Sequence, residues 1–140
     1  MRGLTAIGTL ALVAALVVIP ATGLPQDRSS SSSAAAGRRT YRVYCAVCHG
    51  QGGKGDGPLA ESLRSTPPDL TLIARDNGGE YPTEQVARII DGREPILGHG
   101  GPDMPVWGDA FKNAETGFDD DKVRLKIRSV VDYVAKLQEK

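Results

Sequence analysis

The sequence predicts an all-α domain of three to five helices, and three observations carry that reading. Apolar residues recur at helical spacing through the C-terminal segment, a middle segment carries both a helix start and a helix stop, and no strand-helix-strand alternation is present. At 140 residues the chain has room for one ordinary domain and one site. Its 17 basic and 17 acidic side chains cancel. That balance excludes a dedicated nucleic-acid binder, whose phosphate contacts need a basic excess.

Arg2 precedes an uncharged apolar run from Leu4 to Ile19, after which Pro20 breaks the helix and Ala21, Thr22 and Gly23 offer small residues. Residues 1–23 therefore read as a secretory signal peptide cleaved after Gly23 or, if retained, as an N-terminal membrane anchor. The run of 16 positions is slightly long for a signal core. It is also short of the roughly 20 needed to cross a bilayer upright. Residues 24–36, with Ser29 to Ser33 and Ala34 to Ala36, read as a flexible linker, leaving a domain over 37–140. Either fate of the leader places that domain outside the cytoplasm, in the periplasm or its equivalent. A membrane is a partner only if the anchor is kept. With seven aromatics in the whole chain the core is thin. Small domains of this kind need a disulfide, metal or cofactor as a staple.

The first helix is expected over Gly37 to Val47, with Tyr41 and Tyr44 supplying apolar surface. It runs into the chain's two cysteines, in Cys45-Ala46-Val47-Cys48-His49-Gly50. This is the attachment motif of c-type haem. Two residues between the thiols, at a helix end, let both sulfurs reach the two vinyl groups along one haem edge. The adjacent His49 points its imidazole at the iron, and Gly50 lets the backbone pass close to the porphyrin. Three other chemistries compete. A thioredoxin-like dithiol belongs in a strand-rich domain. A zinc site lacks ligands, since His99 is the only other histidine and there is no third cysteine. A structural disulfide would close a very short loop and leave His49 without a role. Secretion supports the haem reading, because covalent haem attachment takes place beyond the inner membrane in bacteria.

Gln51 to Gly57 holds four glycines. As a bare pattern it resembles a phosphate-binding loop, but it has neither the Lys-Ser/Thr ending nor a preceding strand, and it reads as a loop bending round the haem edge. Pro58 to Leu63 reads as a short helix. Pro67 and Pro68 stop it and leave carbonyls in an extended segment, one of which can accept the second N–H of His49. Thr83 is expected to cap a helix carrying Val86, Ile89 and Ile90 and closed by Gly92. The one methionine beyond the initiator, Met104, lies in a Gly/Pro-rich stretch from Gly98 to Gly108 that favours an ordered loop able to lay a thioether on a haem face. A gap-filling core role is the competing reading for Met104. His99 is the rival distal ligand, and an open sixth position is the third arrangement. Asp119 to Asp121 sit at the start of a helix running to about Leu137, with Val123, Ile127, Val130, Val131, Val134 and Leu137 at helical spacing.

Together these residues resemble the class I cytochromes c, the bacterial mono-haem c-type family. The resemblance rests on Gly37 and Tyr41 ahead of Cys45-Ala46-Val47-Cys48-His49-Gly50, on Gly53-Lys54-Gly55-Asp56-Gly57-Pro58-Leu59, and on Pro67-Pro68-Asp69-Leu70. It also rests on Met104-Pro105-Val106-Trp107-Gly108 and on Asp132-Tyr133-Val134 with Leu137. It implies a cytochrome c-like fold, with helices wrapped around one covalent haem and the terminal helices crossing, and His49/Met104 coordination of the iron. By the same similarity Pro67 or Pro68 lends its carbonyl to His49. Arg93 and Trp107 are candidate partners of the haem propionates.

The function expected is one-electron transfer between redox proteins, without enzymatic chemistry, since no carboxylate cluster marks a substrate pocket. Two other readings stay open. One is a haem subunit of a larger membrane-associated dehydrogenase or oxidase, and the other is a small haem enzyme or gas sensor. Between Val43 and Asp121 there are 6 basic and 14 acidic residues. The expected redox partner therefore presents a basic docking surface.

Overall fold

The computed structural model describes residues 26–93, 104–114 and 119–139, with side chains from Ser31 onward. The signal peptide or anchor expected over 1–23, and His99, lie outside the described residues. Among those residues there is no strand. The helices are α1 (Gln26–Tyr44), α2 (Ala46–His49), α3 (Ile73–Asp76), α4 (Thr83–Asp91), α5 (Trp107–Ala114) and α6 (Asp120–Lys136), with 3-10 turns at Ala60–Ser62 and Leu70–Leu72.

The α1–α6 pair is the frame, as the all-α reading with crossing terminal helices requires. On α6, Val123, Ile127, Val130, Val131 and Val134 form one buried stripe, the helical period showing itself as burial. Asp119 caps this helix, its Oδ1 accepting the Lys122 amide at 2.9 Å. The two helices approach closely because Gly37 has no side chain: a Cβ there would lie 1.7 Å from the Ser129 carbonyl oxygen. Tyr41, 1 % exposed, fills the next turn of the interface and packs its ring 5.2 Å from that of Tyr133.

α1 spans Gln26–Tyr44, so most of the serine- and alanine-rich stretch read as a flexible linker is helical. Serine is a middling helix former rather than a breaker. Ala34, inside the supposed linker, is buried. The expected first helix also does not run unbroken to Val47. It pauses at Cys45 and resumes as α2, although the Cys45 amide still donates to the Tyr41 carbonyl at 2.8 Å.

α4 lies where expected and stops at Gly92, which takes φ 69° in the left-handed region. Its start differs. The N-cap position is Pro82 and no side chain caps it, while Thr83 is the first helical residue and turns its hydroxyl toward the Tyr81 carbonyl. The expected helix from Pro58 to Leu63 is reduced to the 3-10 turn at 60–62. α5 was not expected from the glycines and prolines around it. Trp107 and Phe111, four apart, form its inner face, stacked at 5.3 Å and both edge-on to Tyr44 of α1. Lys126 of α6 lies over the Phe111 ring at 4.7 Å, closing an aromatic junction between α1, α5 and α6.

Candidate functional site

The attachment motif is one helical turn. The amides of Cys48 and His49 both donate to the Cys45 carbonyl, at 3.2 and 2.9 Å, and the Gly50 amide donates to Ala46 at 2.9 Å. This brings Cys45, Cys48 and His49 together on one short element. A helix that ends here leaves its last carbonyls without intrahelical donors. The glycine loop supplies them. Val47 O accepts from Leu59 N at 2.9 Å, Cys48 O from Gly57 N at 3.1 Å, and His49 O from Gly55 N at 2.9 Å. Gly50 O accepts from the buried Tyr41 hydroxyl at 2.8 Å. Successive carbonyls of the turn are thus met one by one by the chain that follows it.

This explains the glycines that composition alone leaves ambiguous. Gly50, Gly53 and Gly55 take φ of 79, 80 and 76°, a region other residues rarely adopt. Gly57 needs space instead, for a Cβ there would come within 2.5 Å of Val47 O. The loop continues into the 69–72 turn, where Leu70 N donates to Gly53 O at 2.7 Å and Asp69 Oδ1 accepts from Thr71 N at 2.8 Å. The C-terminal tail locks that turn: Gln138 accepts from Ala74 N at 2.8 Å and donates to Leu70 O at 2.7 Å.

Cys45 and Cys48 are part-buried free thiols. Burial, and then the neighbouring Cys48, push the Cys45 thiol up to about 12. A dithiol redox pair needs the opposite, a thiol lowered toward neutrality. The described residues hold no group of three or more His, Cys, Asp or Glu able to bind a metal ion. Two part-buried thiols, a part-buried imidazole on the next residue and a side-chain-free backbone behind them fit haem c. Cys45 and Cys48 would hold the porphyrin covalently and His49 its iron.

The remaining candidates are less uniformly placed. Met104 is part-buried and, like Cys45, Tyr44 and Trp107, borders the central core cluster. Trp107 belongs to the aromatic junction. Pro67 is buried and Pro68 exposed. The Nδ1 atom of His49 is buried and has no hydrogen-bond partner among the described residues. The Pro67 carbonyl lies against Gly55, 2.2 Å from where a Cβ would stand. Arg93 is engaged with carboxylates, donating to both oxygens of Asp91 at 2.6 and 2.9 Å and to Asp120 at 2.7 Å. These bonds tie the end of α4 to the start of α6, and Gly108 of α5 gives them room, its absent Cβ falling 2.2 Å from Asp91 Oδ1. The Asp91 side-chain hydrogen bonds hold the Arg93 guanidinium well above its ordinary value.

Sequence reasoning missed Tyr41 as a site residue, and also the Gln138 latch. Tyr41 was legible only as an apolar surface. Its buried position, four before the first cysteine, was the available signal that its hydroxyl must find a partner near the motif.

Among the described residues no helix is long and apolar enough to cross a membrane. No solved structure matches the chain. The family described as cytochrome C oxidase, cbb3-type, subunit III matches residues 32–117, which hold α1 from Ser32, the attachment turn, the glycine loop, α4, Met104 and α5. That stretch is more than half of the sequence and contains the whole site, so the chain belongs to this family and is a cytochrome c domain.

Proposed function

We propose that this protein carries one electron at a time between redox proteins outside the cytoplasm, with one haem held by Cys45 and Cys48 and ligated by His49 and Met104. The coarser statement follows from the family: a cytochrome c domain is a haem electron carrier with redox protein partners and is typically extracytoplasmic. The observation that carries the finer reading is the attachment turn, whose carbonyls are fixed by the glycine loop and by Tyr41. An electron carrier gains from a rigid ligand set, because little then has to move between oxidation states.

Bound haem supplies a one-electron iron couple. The chain's own residues hold and shield it. Cys45 and Cys48 fix its edge, His49 offers a neutral nitrogen, and Met104 offers a thioether from the far side of the sequence. A thioether favours the reduced iron and raises the potential above that of a bis-histidine site. The pyridine haemochrome spectrum of the purified holoprotein tests attachment, and its expected form is that of haem c. Met104→Ala should keep the covalent haem and change the visible spectrum of the folded protein. An unchanged spectrum excludes Met104 as ligand.

A second reading has its own support, since the matched family is described by an oxidase subunit. In it the domain serves as the haem subunit of a membrane-associated complex. Co-purification with other haem- or copper-containing chains from solubilised membranes would establish it, and recovery of the domain alone would favour the free carrier.

A further inference from the structure

The stretch of chain around the attachment cysteines is free of carboxylates. From Arg28 to Gly55 the sequence has neither Asp nor Glu, and it includes Arg38, Arg39, Arg42 and Lys54. Lys54 is engaged with Glu139. Arg38, Arg39 and Arg42 are exposed, and among the described residues none of the three enters an ion pair; Arg42 donates to Gln51 at 3.2 Å.

Beside these arginines lies apolar surface that the fold does not use. Val43 is 68 % exposed, Val47 37 % and Leu59 46 %. Arg39, Val43 and Val47 follow each other at intervals of four along α1 and α2 and so share one stripe. Leu59 joins it, because its amide is bonded to the Val47 carbonyl. The stripe runs directly into Cys48.

The acidic central segment is a different case. Asp69, Asp76, Glu84, Asp91, Asp120 and Asp121 are all in ion pairs, and two of the cations, Arg124 and Arg128, come from α6. Six of that segment's 14 carboxylates are met by cations of the same chain. Ahead of the attachment turn, from Arg38 to Arg42 on α1, the charge is positive and enters no ion pair among the described residues, while the exposed Asp56 and Glu61 lie on the chain that follows the turn.

We propose that Arg38, Arg39 and Arg42, with Val43, Val47 and Leu59, form the docking surface for a redox protein whose contact face is acidic around an apolar centre. This reverses the partner charge expected from the segment count. It rests on the carrier reading, and in the encounter one electron lost by the ferrous haem is gained by the partner while no bond or proton moves. Apolar contact at the centre and opposite charge at the rim are what a brief, oriented encounter requires.

The test uses full-length holoprotein on gold electrodes bearing mixed monolayers, one of carboxylate- and methyl-terminated alkanethiols and one of amine- and methyl-terminated alkanethiols. A reversible one-electron wave is expected on the carboxylate film, with coverage about tenfold lower on the amine film. The triple variant Arg38→Glu/Arg39→Glu/Arg42→Glu should lose about tenfold in carboxylate-film coverage, and Val43→Ser/Val47→Ser about threefold. Glu80→Lys, on the opposite charge class, should change nothing. Each variant is first matched to the parent in haem absorbance, and the single change Arg39→Gln should fall between parent and triple variant. Equal or higher coverage on the amine film, or indifference to the arginine changes, overturns the proposed surface. A spectrally intact haem protein that gives no wave on either film overturns the carrier reading itself.

Discussion

The α1–α6 crossing and the glycine loop both depend on a backbone approached where a side chain is missing, yet they are held in different ways. At the crossing, Gly37 admits the Ser129 carbonyl, and around it Tyr41, Val130, Val131 and Val134 are buried. Many dispersion contacts and much apolar area share the work there. Between Gly50 and Gly57 the loop holds only Gln51, Gly52, Gly53, Lys54, Gly55 and Asp56, with no apolar side chain to bury. Its hold on the attachment turn is a row of amide-to-carbonyl bonds. The crossing should therefore govern stability, and the loop the geometry of the haem turn.

Alanine at the two glycines separates these roles. Gly37→Ala places a carbon against backbone that cannot yield without parting two long helices, and it should cost about 3 kcal/mol in denaturant unfolding of the holoprotein. Gly57→Ala meets Val47 O at 2.5 Å and Cys48 O at 2.6 Å, but a short loop can shift to relieve the contact. Its expected cost is about 1–2 kcal/mol, with a measurable change in the haem absorption bands as the turn is displaced. Equal costs and unaltered spectra in both variants would break the comparison.

Tyr41 joins the two regions, with its ring in the crossing and its hydroxyl on Gly50 O. Tyr41→Phe keeps the ring and leaves the carbonyl only the longer bond from Gly53 N at 3.3 Å, for an expected loss of about 1 kcal/mol. Burial, ahead of the nearby Cys45, Tyr133 and Asp56, holds this phenol well above its ordinary value. The unfolded chain then ionises first as pH rises. The phenol's contribution is full below about pH 10 and is lost as pH climbs from there through the raised folded value. Tyr81, raised chiefly by burial, acts in the same direction. Alkaline unfolding of Tyr41→Phe should accordingly show a shallower decline than that of the parent protein.

What was legible in the sequence follows the range of the interaction. Asp119, Gly92 and the α6 stripe read correctly because a cap or an amphipathic face is decided within a few residues. Cys45, Cys48 and His49 were legible as a motif because the chemistry of attachment fixes their spacing, and the fold keeps them on one turn. The serine-rich start of α1 read as linker because its composition is polar, whereas its helix is packed through Ala34 and Gly37 against a partner more than ninety residues away. α5 was hidden by the glycines and prolines before it, although Trp107 and Phe111 already stood at helical spacing. The glycine loop showed only its composition. Which carbonyl each amide meets is a property of the folded turn, and so is the surface pairing that meets part of the acidic segment's charge within the chain.

The Asp91–Arg93–Asp120 chain sharpens the same lesson at the smallest scale, because it joins α4 to α6 by charge where the α1–α6 crossing relies on packing. The hydrogen bonds from Arg93, outweighing its burial, hold the Asp91 carboxyl below the ordinary range, and those from Arg93 and then Lys112 do the same for Asp120. A lowered folded value means that this contribution is present above the ordinary carboxylate value and is lost as pH falls through the folded one. Asp91→Asn leaves an oxygen for Arg93 but removes the proton equilibrium. Its unfolding midpoint should sit slightly below the parent's at neutral pH, and the gap should close as pH drops from about 4, where the unfolded chain's carboxyl begins to protonate, through the lowered folded value. A gap that stays constant from neutral to acid would mean that geometry alone holds α4 to α6, and that the electrostatic tie contributes nothing beyond packing.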